Sequence, residues 1–206
     1  MGSLVTDIQI KLIDSEYSIM DILRIGLVIA NKLKAKDIEK WIKNELHGYK
    51  KEDELPNYRL VPMSIKFYNM VHGWCPVDVR NKELSDILNG MALRQSISEI
   101  YEMAKDKESC LFHFGVPVEI SENLSECAPF ETEFHYVCNT IYFSKIIDII
   151  KTTILEWVVE LENNGIIDRE MSFNLESIKK ANRINKNVIN NFYGDKGKIA
   201  IEQSIT

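Results

Sequence analysis

The sequence predicts an α+β fold in which helices lie before and after a small, mainly antiparallel sheet. Apolar residues recur at helical spacing in residues 18–33 and again in residues 144–165. Between these segments, residues 58–71 and 130–143 are rich in β-branched and aromatic residues. A block of strands with helices at both ends is typical of α+β domains, and no internal repeat is visible.

Three helices are predicted near the N-terminus. Residues 4–13 form an amphipathic pattern. Ser18 with Asp21 predicts an N-cap for the second helix, whose apolar stripe is so wide that we expect it to be central and buried. A membrane span is disfavoured, because the apolar run is shorter than the ~20 residues that a bilayer requires and Arg24 interrupts it. The third helix is predicted to begin with Asp37 as its N-cap.

Glycine and proline shape the exit from the third helix. Gly48 is predicted to end that helix in a left-handed conformation. The polar residues 49–54 after it are expected to form a surface loop. The ring of Pro56 disfavours helix at the residue before it, so the chain should continue in an extended conformation.

The middle of the chain predicts strands with loops between them. The strand over 58–71 should be interrupted at Pro62, which cannot donate a ladder hydrogen bond, and Val71 is expected to face inward. Residues 72–76 are expected to form a loop, and residues 81–88 a short helix capped by Asn81.

The second half begins with a helix that carries a capping box. Ser96 and Glu99 have the spacing in which each side chain binds the other residue's backbone N–H. Residues 110–114 and 130–143 are predicted strands, with alternating faces in the longer one. Ser144 is predicted to cap the longest helix, and Gly165 to end it.

Several of these segments together resemble one known family. The chain resembles the AbiTii domain, named for abortive infection, in the segments IANKL, KWIKNELHGY, ELPNYR, ILEWVVELENNGI and MSF, over roughly residues 4–173. The resemblance implies a role in antiphage defence in bacteria and assigns no catalytic residue. The positions that carry it are mostly structural, namely Trp41, Leu46, Gly48, Tyr49, Leu55, Pro56, Tyr58, Arg59, Glu156, Trp157, Leu161 and Gly165.

Composition narrows the classes of function. The formal net charge of −6 argues against a dedicated nucleic-acid binder, which needs a basic face to release counterions from phosphate. The four cysteines are irregularly spaced, so reduced thiols are expected. No segment has the order of a signal peptide, which predicts a cytoplasmic protein.

The C-terminal tail differs from the rest of the chain. Residues 1–173 are predicted to form the main domain, and residues 174–206 a linker helix followed by a β-hairpin over residues 188–203. A lone hairpin is marginal in water, so it should pair with a second copy or with its own domain, unless the tail is disordered. The predicted assembly residues are Phe192, Tyr193, Ile199 and Ile201.

Candidate catalytic and metal sites receive little support. Three His/Cys pairs share zinc-like spacing, His72/Cys75, Cys110/His113 and His135/Cys138, but residues three apart in a strand point to opposite faces. No metal site and no cofactor is therefore predicted. The sequence contains neither G-x-x-x-x-G-K-[ST] nor G-x-S-x-G, and it lacks the Asp/Glu-x-Lys pair of restriction-like nucleases.

These observations favour a non-enzymatic antiphage module that works through self-assembly or contact with a partner defence protein. The first alternative is a toxin-like enzyme whose site lies around Glu131, Glu133 and His135, which share a predicted strand face. The second is a nucleic-acid sensor with a basic helical face in the tail, formed by Lys179, Lys180, Arg183 and Lys186.

Overall fold

The fold is α+β, as predicted. The computed structural model describes residues 3–14, 16–77, 90–105, 110–125, 128, 130–168 and 172–193. Its helices are α1 (Leu4–Ile13), α2 (Ile19–Lys32), α3 (Lys36–His47), a 3-10 turn (Asn57–Arg59), α4 (Ile97–Lys105), α5 (Val118–Leu124), α6 (Ile141–Asn163) and α7 (Leu175–Tyr193). Its strands are β1 (Leu60–Pro62), β2 (Ser64–Asn69), β3 (Gly73–Pro76), β4 (Gly90–Ala92), β5 (Leu111–Gly115) and β6 (Phe134–Asn139).

The strands form two antiparallel sheets. The larger has the order β3-β2-β6-β5, and the smaller pairs β1 with β4. Pro62 ends β1, and Met63 separates it from β2, so the predicted interruption is confirmed. Within the described ranges, no helix combines the length and the apolar character that crossing a bilayer requires.

The core lies between the N-terminal helices and α6. Helix α2 buries its apolar stripe, including Ile22, Leu23 and Ile29, against the same cluster that receives Ile150 and Ile154 of α6. Helix α1 packs on both. The caps predicted at Ser18 and at Ser96 are confirmed. The Ser18 Oγ accepts from the Asp21 N–H, and Ser96 and Glu99 exchange both capping-box bonds.

Helix α3 begins earlier in the chain than predicted. Ala35 occupies the N-cap position without a side-chain bond, and Asp37 lies in the first turn. The prediction of Asp37 as N-cap is therefore wrong, although its carboxylate still lies at the positive end of the helix. Tyr49 also differs from the prediction, because it is buried rather than part of a surface loop.

Gly48 ends α3 for a tertiary reason. Its φ is 87° and its ψ is 162°, an extended conformation that is almost restricted to glycine and differs from the predicted left-handed helical cap. A Cβ at this position would lie 2.9 Å from the Arg94 carbonyl oxygen. The neighbouring Tyr49 N–H donates to the same oxygen, at 2.8 Å. The glycine thus allows the chain to pass close to residues 94–96.

Substitution of Gly48 by alanine is expected to lower the free energy of unfolding by more than the ~1–3 kcal/mol of backbone strain alone, because the new methyl group also meets the Arg94 carbonyl. Urea denaturation measures the loss. Gly165→Ala is the matched control, since Gly165 has a φ of 70° but a Cβ there would meet no described atom within 4 Å. Equal losses in the two variants would refute the close-approach explanation.

Three predictions about the sheet are wrong. Residues 73–76, expected as a loop, form β3 and pair with β2. Strand β6 is shorter than predicted, and α6 begins at Ile141, so Ser144 lies inside the first turn instead of capping it. Val71 does not face inward, because its side chain is exposed at the β2–β3 turn. The predicted helix over 81–88 lies outside the described residues.

Helix α7 packs on the main body. It contributes Ala181 and Ile184 to the main hydrophobic cluster. Residues 188–193, predicted as the first strand of the tail hairpin, continue this helix to Tyr193 instead. The remaining part of the predicted hairpin, including Ile199 and Ile201, lies outside the described residues. The division of the chain after Phe173 stays a prediction.

Candidate functional site

A groove lies between the 3-10 turn, α6 and α7. Its volume is about 490 Å³. It is open to solvent along α6, where the lining positions follow one another every three or four residues and so share one face of the helix. The lining residues are Asn57, Tyr58, Lys145, Asp148, Ile149, Thr152, Thr153, Glu156 and Val188.

The rim of this groove carries both signs of charge. Lys145, Asp148 and Glu156 are exposed on α6, and Thr152 between them is exposed as well. Thr153 is buried on the inner side. Polar groups of mixed charge around an open groove are suited to contact with a polar surface of another molecule. Each of these side chains can keep its bound water in the complex or replace that water with a hydrogen bond to the other molecule.

Tyr58 connects the groove to a buried polar network. The Trp41 Nε1–H donates to the Tyr58 hydroxyl oxygen at 2.8 Å, and the Tyr58 O–H donates to Glu45 Oε1 at 2.7 Å. Trp41 and Glu45 lie one turn apart on α3, so both point toward the 3-10 turn that carries Tyr58. The hydroxyl therefore has a fixed donor and a fixed acceptor.

Glu45 is the centre of the network. Its Oε1 also accepts from the Tyr49 O–H at 2.6 Å, and its Oε2 pairs with the Arg59 guanidinium. Both charged side chains are fully buried. Arg59 donates further to the Gln95 carbonyl oxygen at 2.8 Å. A buried carboxylate is stable only when its charge is balanced and its oxygens are bonded, and both conditions hold here.

The electrostatics keep the Tyr49 and Tyr58 phenols neutral and the Arg59 guanidinium charged. Burial raises the pKa of Tyr49 and of Tyr58, and the nearby Glu45 charge raises both further. Burial lowers the pKa of Arg59, but the Glu45 carboxylate outweighs it, so that the Arg59 pKa is raised overall. Neutral phenols and a permanent cation are suited to holding positions, and not to proton transfer at neutral pH.

The positions of the family resemblance meet in this network. Trp41, Tyr49, Tyr58 and Arg59 are joined through Glu45, while Glu156 lines the groove next to them. A family model described as AbiTii matches residues 3–186. The chain belongs to the AbiTii family. The family name indicates abortive infection, which is a defence against phage. Neither the curated proteins nor the solved structures contain a match to the chain.

The other AbiTii positions are also structural. Pro56 is buried before the 3-10 turn, and Gly165 has a φ of 70° directly after α6. Trp157 is buried, and its Nε1–H donates to Asn185 Oδ1 of α7 at 2.9 Å. The AbiTii match thus continues into the helix that the sequence assigned to a tail.

The structure places Glu131, Glu133 and His135, the candidates for an enzyme site in this AbiTii chain, at the start of β6. Glu131 and Glu133 are exposed and precede β6, whereas His135 lies within it. His135 instead contacts rings from two other strands. Its ring centroid lies 4.4 Å from that of Trp74 and 5.7 Å from that of His113. Sequence reasoning missed this cluster because it treated Trp74 as part of a loop.

The strand geometry separates one of the three His/Cys pairs. His135 and Cys138 lie three residues apart in β6, so their side chains point to opposite faces of the sheet. Cys138 is buried, and burial raises its pKa to about 11. Among the described residues, no group of three or more His, Cys, Asp or Glu side chains is placed to hold a metal ion.

The β2–β3 turn presents two apolar side chains to solvent. Met70 is 93% exposed and Val71 is 84% exposed. The Asn69 Oδ1 accepts from the Val71 N–H at 2.8 Å and from the His72 N–H at 3.0 Å. This side-chain cap fixes the turn, so the two apolar groups are held outward. We call Met70 and Val71 the hairpin tip.

The basic face predicted in the tail is only partly available. Lys179, Lys180 and Arg183 are exposed on α7, but the Lys180 ammonium pairs with the Glu176 carboxylate at 2.8 Å. The groove that these three residues line is also lined by Glu160. The side chain of Lys186 lies outside what the structure describes, as do those of Phe192 and Tyr193.

Proposed function

We propose that this AbiTii chain acts in phage defence by contacting another protein inside the infected cell, and that the hairpin tip is the contact surface. The observation that carries this proposal is the exposure of Met70 and Val71 on a turn fixed by Asn69. Because the turn backbone is already fixed, a partner that covers these two side chains has to order only their rotamers. Their burial would contribute about 25 cal/mol for each Å² removed from water.

The first test replaces the tip residues. The double variant Met70→Ser/Val71→Ser is expected to abolish protection in a plaque assay and to leave the melting temperature unchanged. Loss of two apolar anchors costs on the order of 2–4 kcal/mol of binding, or roughly 30- to 700-fold in Kd. The matched control is Ile13→Ser/Leu175→Ser, which removes two side chains of similar exposure, 80% and 75%, from α1 and α7.

The outcomes separate a contact surface from general solubility. Loss of protection in the tip variant alone supports the proposal. Full protection by the tip variant contradicts it, and so does an equal loss in the control, since that loss would not depend on the location of the apolar groups. The plaque assay is read only in strains that express both variants at equal levels, because abundance itself changes protection.

The partner is either a second copy of the chain or another defence protein. Assembly through Phe192, Tyr193, Ile199 and Ile201 of the tail remains a prediction. Light scattering after size exclusion can test it on the complete chain and on Ile199→Asp/Ile201→Asp. Point variants are preferable to truncation after Phe173, because that cut would remove the core residues Ala181 and Ile184.

A further inference from the structure

The register of the larger sheet collects polar and aromatic side chains on one face. Lys66 lies opposite His135, and Tyr68 lies opposite Trp74. His113 lies opposite Val137, which is two residues from His135 on the same strand. Directly opposed residues, and residues two apart in a strand, point to the same side of a sheet. Each of the four strands therefore contributes to this face, which we call the ring face.

The rings on this face contact one another around Trp74. The Trp74 centroid lies 4.4 Å from that of His135 with an angle of 31° between the planes, which is close to stacking. The distance from Trp74 to His113 is 4.9 Å, and to Tyr68 it is 5.4 Å. The opposite face of the sheet is covered instead, since Ile65 and Phe134 are buried against Leu124. The ring face is the more accessible one, with Tyr68 46% exposed.

Two ring nitrogens of this face lack protein partners. The Nδ1 atoms of His113 and His135 are buried and have no hydrogen-bond partner among the described residues. Lys66 is close enough to act on His113, whose pKa is lowered by burial and then by His135 and Lys66. One acidic residue is near, because the Tyr68 N–H donates to the Glu133 carbonyl oxygen at 3.2 Å. Lys66 thus supplies positive charge to this face.

We propose that the ring face binds single-stranded nucleic acid, with bases stacked on Tyr68 and Trp74 and a phosphate beside Lys66. Antiparallel sheets that bind single strands use rings on one face in this way, because every base has a π-face. A duplex hides its base faces, so it could not use these rings. This activity is separate from the hairpin-tip contact and does not rest on it.

The overall acidity of the chain does not exclude this site. Counterion release depends on the charges that lie next to the strand, and charge effects are screened beyond about 10 Å at ~0.1 M salt. Stacking contributes roughly 1–3 kcal/mol for each base without any net charge. The sequence-based argument from a net charge of −6 therefore applies to binding by charge alone, and not to a ring face with one lysine.

Binding is measured with the complete chain and dye-labelled oligo-dU and oligo-U of about 10 nucleotides, a length within the usual site size. Fluorescence quenching of the unlabelled protein reports mainly on Trp74, because Trp41 and Trp157 are 2% and 1% exposed. Trp74→Leu is expected to weaken binding roughly 5- to 150-fold, the equivalent of one stacked base. Trp74→Phe keeps a ring and should remain close to wild type.

The charge on this face is tested by a matched pair of lysine variants. Lys66→Gln should reduce the salt slope by about 0.7, the contribution of one phosphate contact to a single strand. Lys51→Gln, in an exposed loop, should leave the slope unchanged. Glu133→Gln should tighten binding. Tighter binding of oligo-U than of oligo-dU, or the reverse, identifies the sugar that is recognised and supports the proposal in either case.

Three results would overturn the proposal. One is the absence of any anisotropy or quenching change with wild-type protein at about 50 mM salt, where electrostatic contacts are strongest. The second is equal affinity of Trp74→Leu and Trp74→Phe in two variants with the same melting temperature. The third is equal affinity for a mononucleotide and for the oligonucleotides, since this would limit the site to a single nucleotide.

Discussion

Replacement of Arg59 by methionine is expected to lower the free energy of unfolding by about 3–5 kcal/mol, since it leaves the Glu45 carboxylate buried without a cation. The methionine fills much of the same volume, so most of the loss comes from the charge and the missing hydrogen bonds, including the one to Gln95. Urea denaturation measures this change. The same variant should also release Tyr58, which shares Glu45 as its acceptor, and so disorder the adjacent groove.

Two further variants show whether the pair acts as a unit. Glu45→Met/Arg59→Met removes both charges and should be more stable than Arg59→Met alone, although Tyr49 and Tyr58 then lose their acceptor. Arg24→Met removes a cation from an exposed pair with Asp21 and should change stability by less than about 1 kcal/mol. A double variant whose loss equals the sum of the losses in Arg59→Met and in Glu45→Met would refute the coupling.

The network shows how far sequence reasoning reaches. Trp41, Tyr49, Tyr58 and Arg59 stand out in the sequence because they match a family pattern, and helical spacing places Trp41 and Glu45 on one face of α3. Glu45 itself does not stand out, because a glutamate on an amphipathic helix is normally solvated. The burial of Glu45 depends on the turn of the chain at Gly48 and on the position of Arg59, which pairs with its carboxylate. Neither is visible in the local pattern.

The ring face was missed for a similar reason. Spacing within one strand relates only residues of that strand, whereas His113, His135 and Trp74 meet across a ladder. Gly73 and Pro76 at the ends of β3 are typical of loops, and only the pairing with β2 makes this segment a strand. The incorrect inward assignment of Val71 has the same origin, since β2 ends before that residue.

Helices were predicted better than strands, because their signals are local. The caps at Ser18 and at Ser96 and the end near Gly165 are confirmed. The caps predicted at Asp37 and Ser144 are wrong by a few residues. The larger error is α7, where sparse large aliphatic residues suggested a linker. Ala181, Ile184 and Asn185 of this helix are buried, and Ile178, Val188 and Ile189 pack beside them against the main cluster. These apolar residues recur at helical spacing, so the sequence does carry an apolar stripe here, which the linker interpretation overlooked.

Replacement of Trp157 by alanine should therefore have a large effect on both helices. The cavity is expected to cost about 3–5 kcal/mol of unfolding free energy. The variant also removes the donor to the buried Asn185 side chain, whose Nδ2 has no hydrogen-bond partner among the described residues. Hydrogen exchange in α7 should then become faster relative to α2, because α7 is held to α6 through this contact. Urea denaturation and exchange measured by mass spectrometry give the two quantities.

The conservative variant separates volume from the hydrogen bond. Trp157→Phe retains most of the apolar bulk but no donor, so it should cost about 1–3 kcal/mol through the unpaired Asn185 carbonyl oxygen. Restoration by Trp157→Phe/Asn185→Leu would confirm that the unpaired amide is the cause. A loss below about 2 kcal/mol in Trp157→Ala, with unchanged exchange in α7, would instead mean that α7 is held independently of α6. That result would favour a division of the chain near Phe173. A helix whose stability does not change when its contact with Trp157 is removed behaves as a separate element.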